Sequence, residues 1–337
     1  MVKRENISLG RLERVALRNI WLREAGDFTP WLAQPHNLKL LSDAIGIELE
    51  CEAQEKDVGP FRADILCKNT IDDAWVLIEN QLERTDHGHL GQLLTYAAGL
   101  DAVTIIWIAE SITEGHRAAL DWLNEITNER FNFFGLEIQA WKIGDSQVAP
   151  KFNIVSRPND WTRTVQKSAQ KAGELSETKE TQLQFWISFK EYIAAKSRIR
   201  CQKPYPQNWM YHSIGRTGMR LVSIASTWDS EAETYGSPEL RAEFQLDDKH
   251  SKAHFAALET QKEEIERDMG HALTWHNPPN ARACRIYVRH SANFLDHNKW
   301  PECHEWLREN LENLYRVFRP RVMELGARPE VAPNDNV

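Results

Sequence analysis

The chain has no apolar run approaching the roughly 20 residues that a membrane helix needs, and Met1–Gly10 has no apolar core of the kind that directs secretion. A cytoplasmic protein with no membrane partner is expected. Cysteine is sparse: Cys51, Cys67, Cys201, Cys284 and Cys303 are scattered singly, and no C-x-x-C pair is present to chelate zinc or shuttle disulfides. These residues read as reduced, mostly packed thiols. A Gly-rich phosphate loop, a G-x-S-x-G elbow and an H-E-x-x-H helix are also missing; Arg308 follows His304-Glu305-Trp306-Leu307 where the second histidine would stand. A cofactor-dependent metabolic enzyme therefore has no motif to support it. Internal repeats and low-complexity runs are absent. Positive charge is in deficit, with a net charge of -8, so any binding of nucleic acid must come from a local basic groove rather than the field of the whole molecule.

What is present is enough apolar material for two cores. At 337 residues the chain exceeds the usual size of one domain. Residues 1–161 are expected to form an α/β domain and 183–325 an α+β two-layer domain. The stretch 162–182, rich in Lys, Gln, Ser and Glu, reads as a linker, and 326–337 as a disordered tail.

In the first half, Leu9–Arg23 has a helical period, and a second helix is expected from about Pro30 to Ile45. Ile47–Gln54 then alternates apolar and acidic residues, the pattern of a strand with one wet face. After the turn at Val58-Gly59-Pro60, Arg62–Lys68 and Ala74–Glu79 read as two more strands. Gly88–Leu100 reads as a helix, Ala102–Ala109 as a buried strand, Glu114–Asn128 as a helix and Phe133–Ile143 as a final strand.

Two carboxylates stand out within this frame. Asp64 lies inside the second strand and Glu79 closes the third, directly after Val76-Leu77-Ile78. Pairing of these strands as a hairpin brings both carboxylates to one face near one sheet edge. An acid at the end of so apolar a strand needs a partner such as a metal or an arginine. Phosphodiester hydrolysis uses a hard divalent cation to generate hydroxide and offset charge on phosphorus, and magnesium takes one or two carboxylates plus water. Gln81, two residues past Glu79, projects to the same side.

Ala63-Asp64 followed by Glu79-Asn80-Gln81 resembles the PD-(D/E)XK nuclease superfamily, in which an acid on one strand is followed, after a hairpin, by Glu-x-Lys on the next. Here Gln stands for the lysine and Ala for the proline. Glutamine can orient a water by hydrogen bonding but brings no charge. Gln92 and Tyr96 resemble the Q-x-x-x-Y motif of the RecB-like branch, which supports the site and contacts nucleic acid, and Glu24, with Glu13 as its competitor and an exposed helix residue as the alternative reading, resembles the helix glutamate that some branches add. The order of elements over residues 7–143 is the superfamily's core order. The resemblance implies a restriction-endonuclease-like N-terminal domain, a central mixed sheet flanked by helices. It implies Asp64, Glu79 and the Asn80 carbonyl as ligands of Mg2+ or Mn2+, Gln81 and Glu24 as catalytic partners, Arg62 as a site-supporting residue, and nucleic acid, DNA before RNA, as substrate. Such families serve in restriction, repair or defence. A noncatalytic nucleic-acid-binding or regulatory protein on the same fold is the alternative. His87 and His89 read as helix-capping and solvent-contacting residues, and Asp86 as a cap.

The whole chain also resembles an uncharacterised bacterial family that joins this half to a C-terminal domain of unknown function; Ser213–Gly218, Leu258–Glu266 and Trp300-Pro301-Glu302 with Trp306 carry that likeness. In this half Arg216, Arg220, Arg241, Lys249, Lys252, Arg285 and Arg289 can line one side of a sheet, with Trp209 and Tyr211 to stack on bases. Ordinary surface arginines and core tryptophans account for the same residues, and a homodimer interface is a third option.

Overall fold

The computed structural model describes residues 9–58, 61–99, 103–127, 130–158, 176–231 and 234–325. The chain divides into two compact units, Met1–Asn69 with Ala74–Ala169, and Thr70–Asp73 with Gln170–Val337. Among the described residues no helix is long and apolar enough to cross a membrane.

The first unit opens on a strand where the sequence suggested a helix. β1 (Leu12–Val15) pairs antiparallel with β6 (Phe131–Ile143). The edge of that long strand offers unpaired N–H and C=O groups, and satisfying them outweighs a weak helical period; only a 3-10 turn at Leu17–Asn19 survives. The next helix is split into α1 (Thr29–Leu32) and α2 (Pro35–Ile45), because Pro35 has no N–H to return to the preceding turn. Gly46, at φ 77°, ends α2 in the left-handed conformation.

β2 (Leu49–Val58), β3 (Phe61–Asn69) and β4 (Trp75–Asn80) form an antiparallel meander. α3 (His87–Gly99), β5 (Val103–Ala109), α4 (Glu114–Ile126), β6 and β7 (Ala149–Ser156) follow. The strand order is β1-β6-β5-β4-β3-β2, with β7 also on β6, and β4, β5 and β6 run parallel. This is a central mixed sheet flanked by helices. Both faces are covered: Val76 and Ile78 join Ile65, Ile106 and Leu41 of α2 in one core, while Leu77 joins Trp107, Leu93 of α3 and Leu120 of α4 in another. That two-sided burial is why β4 and β5 read as unbroken apolar runs. The sequence pattern gives Phe133–Ile143 as the final strand of this half, and the structure adds β7 after it. Pro150 in fact sits near the start of β7, where a missing N–H is tolerated.

The second unit is an antiparallel sheet of β8 (Trp209–Ser213), β9 (Met219–Asp229), β10 (Thr234–Leu246), β11 (Thr274–His276) and β12 (Cys284–Ser291), in the order β11-β12-β10-β9-β8. α5 (Glu177–Lys196), α6 (Ser251–Glu259), α7 (Lys262–Met269) and α8 (Trp300–Glu324) accompany it. Leu240, Ala242, Phe244 and Leu246 alternate inward and meet Phe255, Ile265, Leu311 and Phe318 in one core. Ser251–Met269 is divided into α6 and α7, and the three residues of β11 are too few to register as a period in the sequence. α5 begins at Glu177, inside the expected linker, with the Ser176 hydroxyl accepting from the Lys179 N–H. Residues 162–175 of that linker and the tail 326–337 lie outside the described residues.

Phe244 is fully buried and stacks on Phe318 with ring centroids 4.6 Å apart. Phe244→Ala should lower unfolding stability by about 3–5 kcal/mol, read as a fall in the urea midpoint; an unchanged midpoint refutes this packing.

Candidate active site

The β3–β4 ladder ends at the pair Ile65 and Ile78, so the next residues toward the open end, Asp64 and Glu79, flank one another. The N–H that Asn80 would give to a continued ladder goes instead to the Asp64 carboxylate at 2.8 Å, and the Asn80 side-chain amide donates to the same oxygen at 2.9 Å. Asn80 in turn exchanges contacts with the Thr29 hydroxyl. The structure thus shows Asn80 as the residue that orients Asp64 through its amides.

Glu79 is 3% exposed, and its Oε1 has no hydrogen-bond partner among the described residues. Desolvation, and then the charge of Asp64, push its pKa up to about 8; the Tyr96 hydroxyl and the Asp64 main-chain N–H pull it back only partly. Burial likewise lifts Asp64 to about 6, opposed by the Asn80 amide and reinforced by Glu55 and Glu24. Tyr96 is itself buried on α3, and burial beside Glu79 raises its phenol pKa.

Glu55 is a residue that the sequence reading missed. On β2 it falls between the pairs Gln54–Ile65 and Lys56–Ala63, which sets it beside Asp64 on the strand opposite Glu79. Three acids therefore lie across three neighbouring strands. Glu55 sits at φ 49°, a conformation that L residues avoid and that tends to mark functional positions. One of its carboxylate oxygens is buried with no hydrogen-bond partner among the described residues, and the other pairs with Arg62 at 3.2 Å. No periodicity signals a bulge of this kind. Arg62 is otherwise exposed and bonded to the Glu55 carbonyl.

Glu24 reaches the same region. Its carboxylate accepts from the Leu82 N–H at 3.0 Å and from Arg18, which also bridges to Glu83. Gln92 is half-buried on α3 one turn before Tyr96. Gln81 is buried and fully engaged: Oε1 accepts from the Trp107 indole at 2.9 Å, and Nε2 donates to the Arg84 carbonyl and to Asp86. Asp86 does cap α3, accepting from the His89 N–H, and its other oxygen lies 2.6 Å from His89 Nδ1. His87 meets the buried His116 at 3.1 Å.

Among the described residues no three His, Cys, Asp or Glu side chains converge closely enough to hold a metal by themselves. Two hard carboxylates with an unpartnered buried oxygen nevertheless fit a magnesium-type ion that keeps most of its waters.

The second unit spreads its cations differently from a basic stripe. Arg216 donates to the Val322 and Leu325 carbonyls at the end of α8, and Arg220 is buried against Asp73 and lies over the Tyr211 ring. Arg241 pairs with Glu239 and Glu243, Arg285 with Glu243, and Arg289 with Asp229 and Glu239. Lys252 bonds Asn277 and the Pro278 carbonyl. A chain of half-buried Cys201 and buried His212 and Ser223 has the residue types of a nucleophile relay. Burial pushes the Cys201 thiol up to about 12 and His212 down to about 3, which keeps both neutral and opposes formation of the thiolate a nucleophile needs.

The family model described as "Domain of unknown function (DUF4268)" matches residues 181–322. No curated protein matches the chain. Among solved structures, a repair endonuclease from Pyrococcus abyssi is 22% identical at TM-score 0.25, over 31% of this chain and 46% of that one. An EndoMS–dsDNA complex is 25% identical at TM-score 0.24, over 31% and 44%. Pyrococcus furiosus SfsA in complex with Ca2+ is 13% identical at TM-score 0.23, over 37% and 59%. The chain thus spans about half the length of the solved structures it matches. At these TM-scores the functional case rests on the site's own geometry.

Because folding raises the pKa of Glu79 from 4.5 to about 8, the folded state holds its proton more tightly than the unfolded chain does. Without added divalent cation, stability should be fullest at acid pH near the ordinary carboxylate value and should fall as pH climbs through about 8. Glu79→Gln should flatten that slope in urea melts across the window; parallel pH profiles for both proteins would refute the assignment.

Proposed function

We propose that the first unit hydrolyses phosphodiester bonds in nucleic acid, DNA in preference to RNA, with a divalent cation, Mg2+ or Mn2+, held by Asp64 and Glu79. The observation that carries this is the side-by-side placement of two desolvated carboxylates where the β3–β4 ladder ends, one with a buried oxygen that has no hydrogen-bond partner among the described residues. A hard cation is the partner that such a pair lacks. When bound, it supplies acidified water and offsets charge on the phosphorus.

The residues of the chain do the rest. Asn80 fixes the rotamer of Asp64 through two hydrogen bonds, and its carbonyl is assigned as a further ligand. Tyr96 braces Glu79 from α3, and Glu24 ties the opening segment to Leu82 beside the site. The DNA preference follows the motif resemblance, as does a role in restriction, repair or defence.

One observation favours a second reading, a binding or regulatory protein that has lost turnover: Gln81 is neutral and locked among Trp107, Arg84 and Asp86. Incubating the purified full chain with Mg2+ or Mn2+ on single-stranded, duplex and branched DNA, and on RNA, separates the two. The nuclease reading expects cation-dependent cleavage that falls about 100-fold or more in Asp64→Ala and Glu79→Ala. Asp64→Ala cutting as well as the parent removes the site, and cation binding with no cleavage leaves the second reading in place.

A further inference from the structure

The lysine of the resembled motif carries a charge that Gln81 cannot. The hydrogen bonds around Gln81 show where a replacement is built. By donating Nε2 to Asp86, Gln81 holds that carboxylate in position, and Asp86 then uses one oxygen on the His89 main chain and the other, at 2.6 Å, on His89 Nδ1. An imidazole clamped at Nδ1 by a carboxylate presents Nε2 outward as a proton acceptor in a fixed tautomer. Among the described residues His89 Nε2 has no hydrogen-bond partner, and the side chain is 29% exposed, so water reaches it. His89, Leu93 and Tyr96 stand at i, i+4 and i+7 of α3, one stripe of the helix. Leu93 and Tyr96 of that stripe are buried against the sheet, and the Tyr96 hydroxyl meets Glu79.

We infer that His89, positioned by the Gln81–Asp86 relay, is the proton acceptor of the candidate site and takes over the role that the missing lysine leaves vacant. The inference rests on the nuclease reading above. Once it carries a proton, His89 favours the charged form of the Asp64 carboxyl, which sets the two within electrostatic reach. In the step assigned to it, His89 Nε2 takes a proton from a water molecule whose oxygen forms the new bond to phosphorus. The bond from phosphorus to the leaving sugar oxygen breaks, that oxygen takes a proton from solvent, and His89 returns its own proton to solvent. Nothing is oxidised or reduced.

The test uses the full chain carrying His89→Ala or His89→Gln, with Mn2+ and whichever DNA the wild type cleaves. General-base loss predicts kcat lower by about 100-fold with KM unchanged. Added imidazole should restore rate to His89→Ala but not to Asp64→Ala. His89→Gln, which keeps a donor toward Asp86, should stay slow. Calorimetry should find Mn2+ bound by His89→Ala as tightly as by wild type. Wild-type rates in either His89 variant, a slow His89→Ala that imidazole does not rescue, or weakened Mn2+ binding overturns the inference and leaves the nuclease reading standing. A wild-type protein that cleaves none of the substrates overturns both.

Discussion

The first unit is organised around an arrangement that folding alone disfavours: two acids desolvated next to one another where a hairpin ladder stops. Burial and mutual repulsion both oppose ionisation of Glu79, and its Oε1, buried with no hydrogen-bond partner among the described residues, carries a desolvation cost. The neighbouring elements are placed to make this tolerable. β4 runs in parallel beside β5 and fixes the height of Glu79, Asn80 turns its amides onto Asp64, and α3 brings Tyr96 down onto Glu79. A local cost kept in place by surrounding packing is a common mark of a functional site.

The Gln81 network belongs to the same economy of positions. A lysine at residue 81 would bring its own charge into the site, whereas glutamine joins Trp107 on β5 to Asp86 at the start of α3. The residue that departs from the motif therefore works as a strut between a strand and a helix. In the second unit the arginines are committed to Glu239, Glu243, Asp229 and Asp73 or to helix-end carbonyls. Ion pairs of that kind hold a sheet face together and leave little unbalanced positive charge for phosphate.

Much of this was legible in the sequence, for identifiable reasons. The buried strands β4 and β5 and the amphipathic α4 have periods that survive any tertiary context, and Asp64, Glu79 and Tyr96 fall where a hairpin and the following helix bring them together. Leu9–Arg23 was misread because an open strand edge decided its conformation, and no local pattern reports that. Glu55 escaped because its proximity to Asp64 depends on a register irregularity in β2. His89 was read as a helix-end residue; its pairing with Asp86 follows from a bond that Asp86 also makes to Gln81, a three-residue relation invisible to spacing rules.

Calorimetric titration of the wild-type protein with Mn2+ at pH 7, repeated in buffers of different ionisation enthalpy, addresses the central claim most directly. Because Glu79 is pushed up to about 8 in the empty site, the account predicts that the cation binds with proton release, and that both heat and protons vanish in Glu79→Ala and Asp64→Ala. Binding without proton release, or binding that survives in both variants, contradicts it.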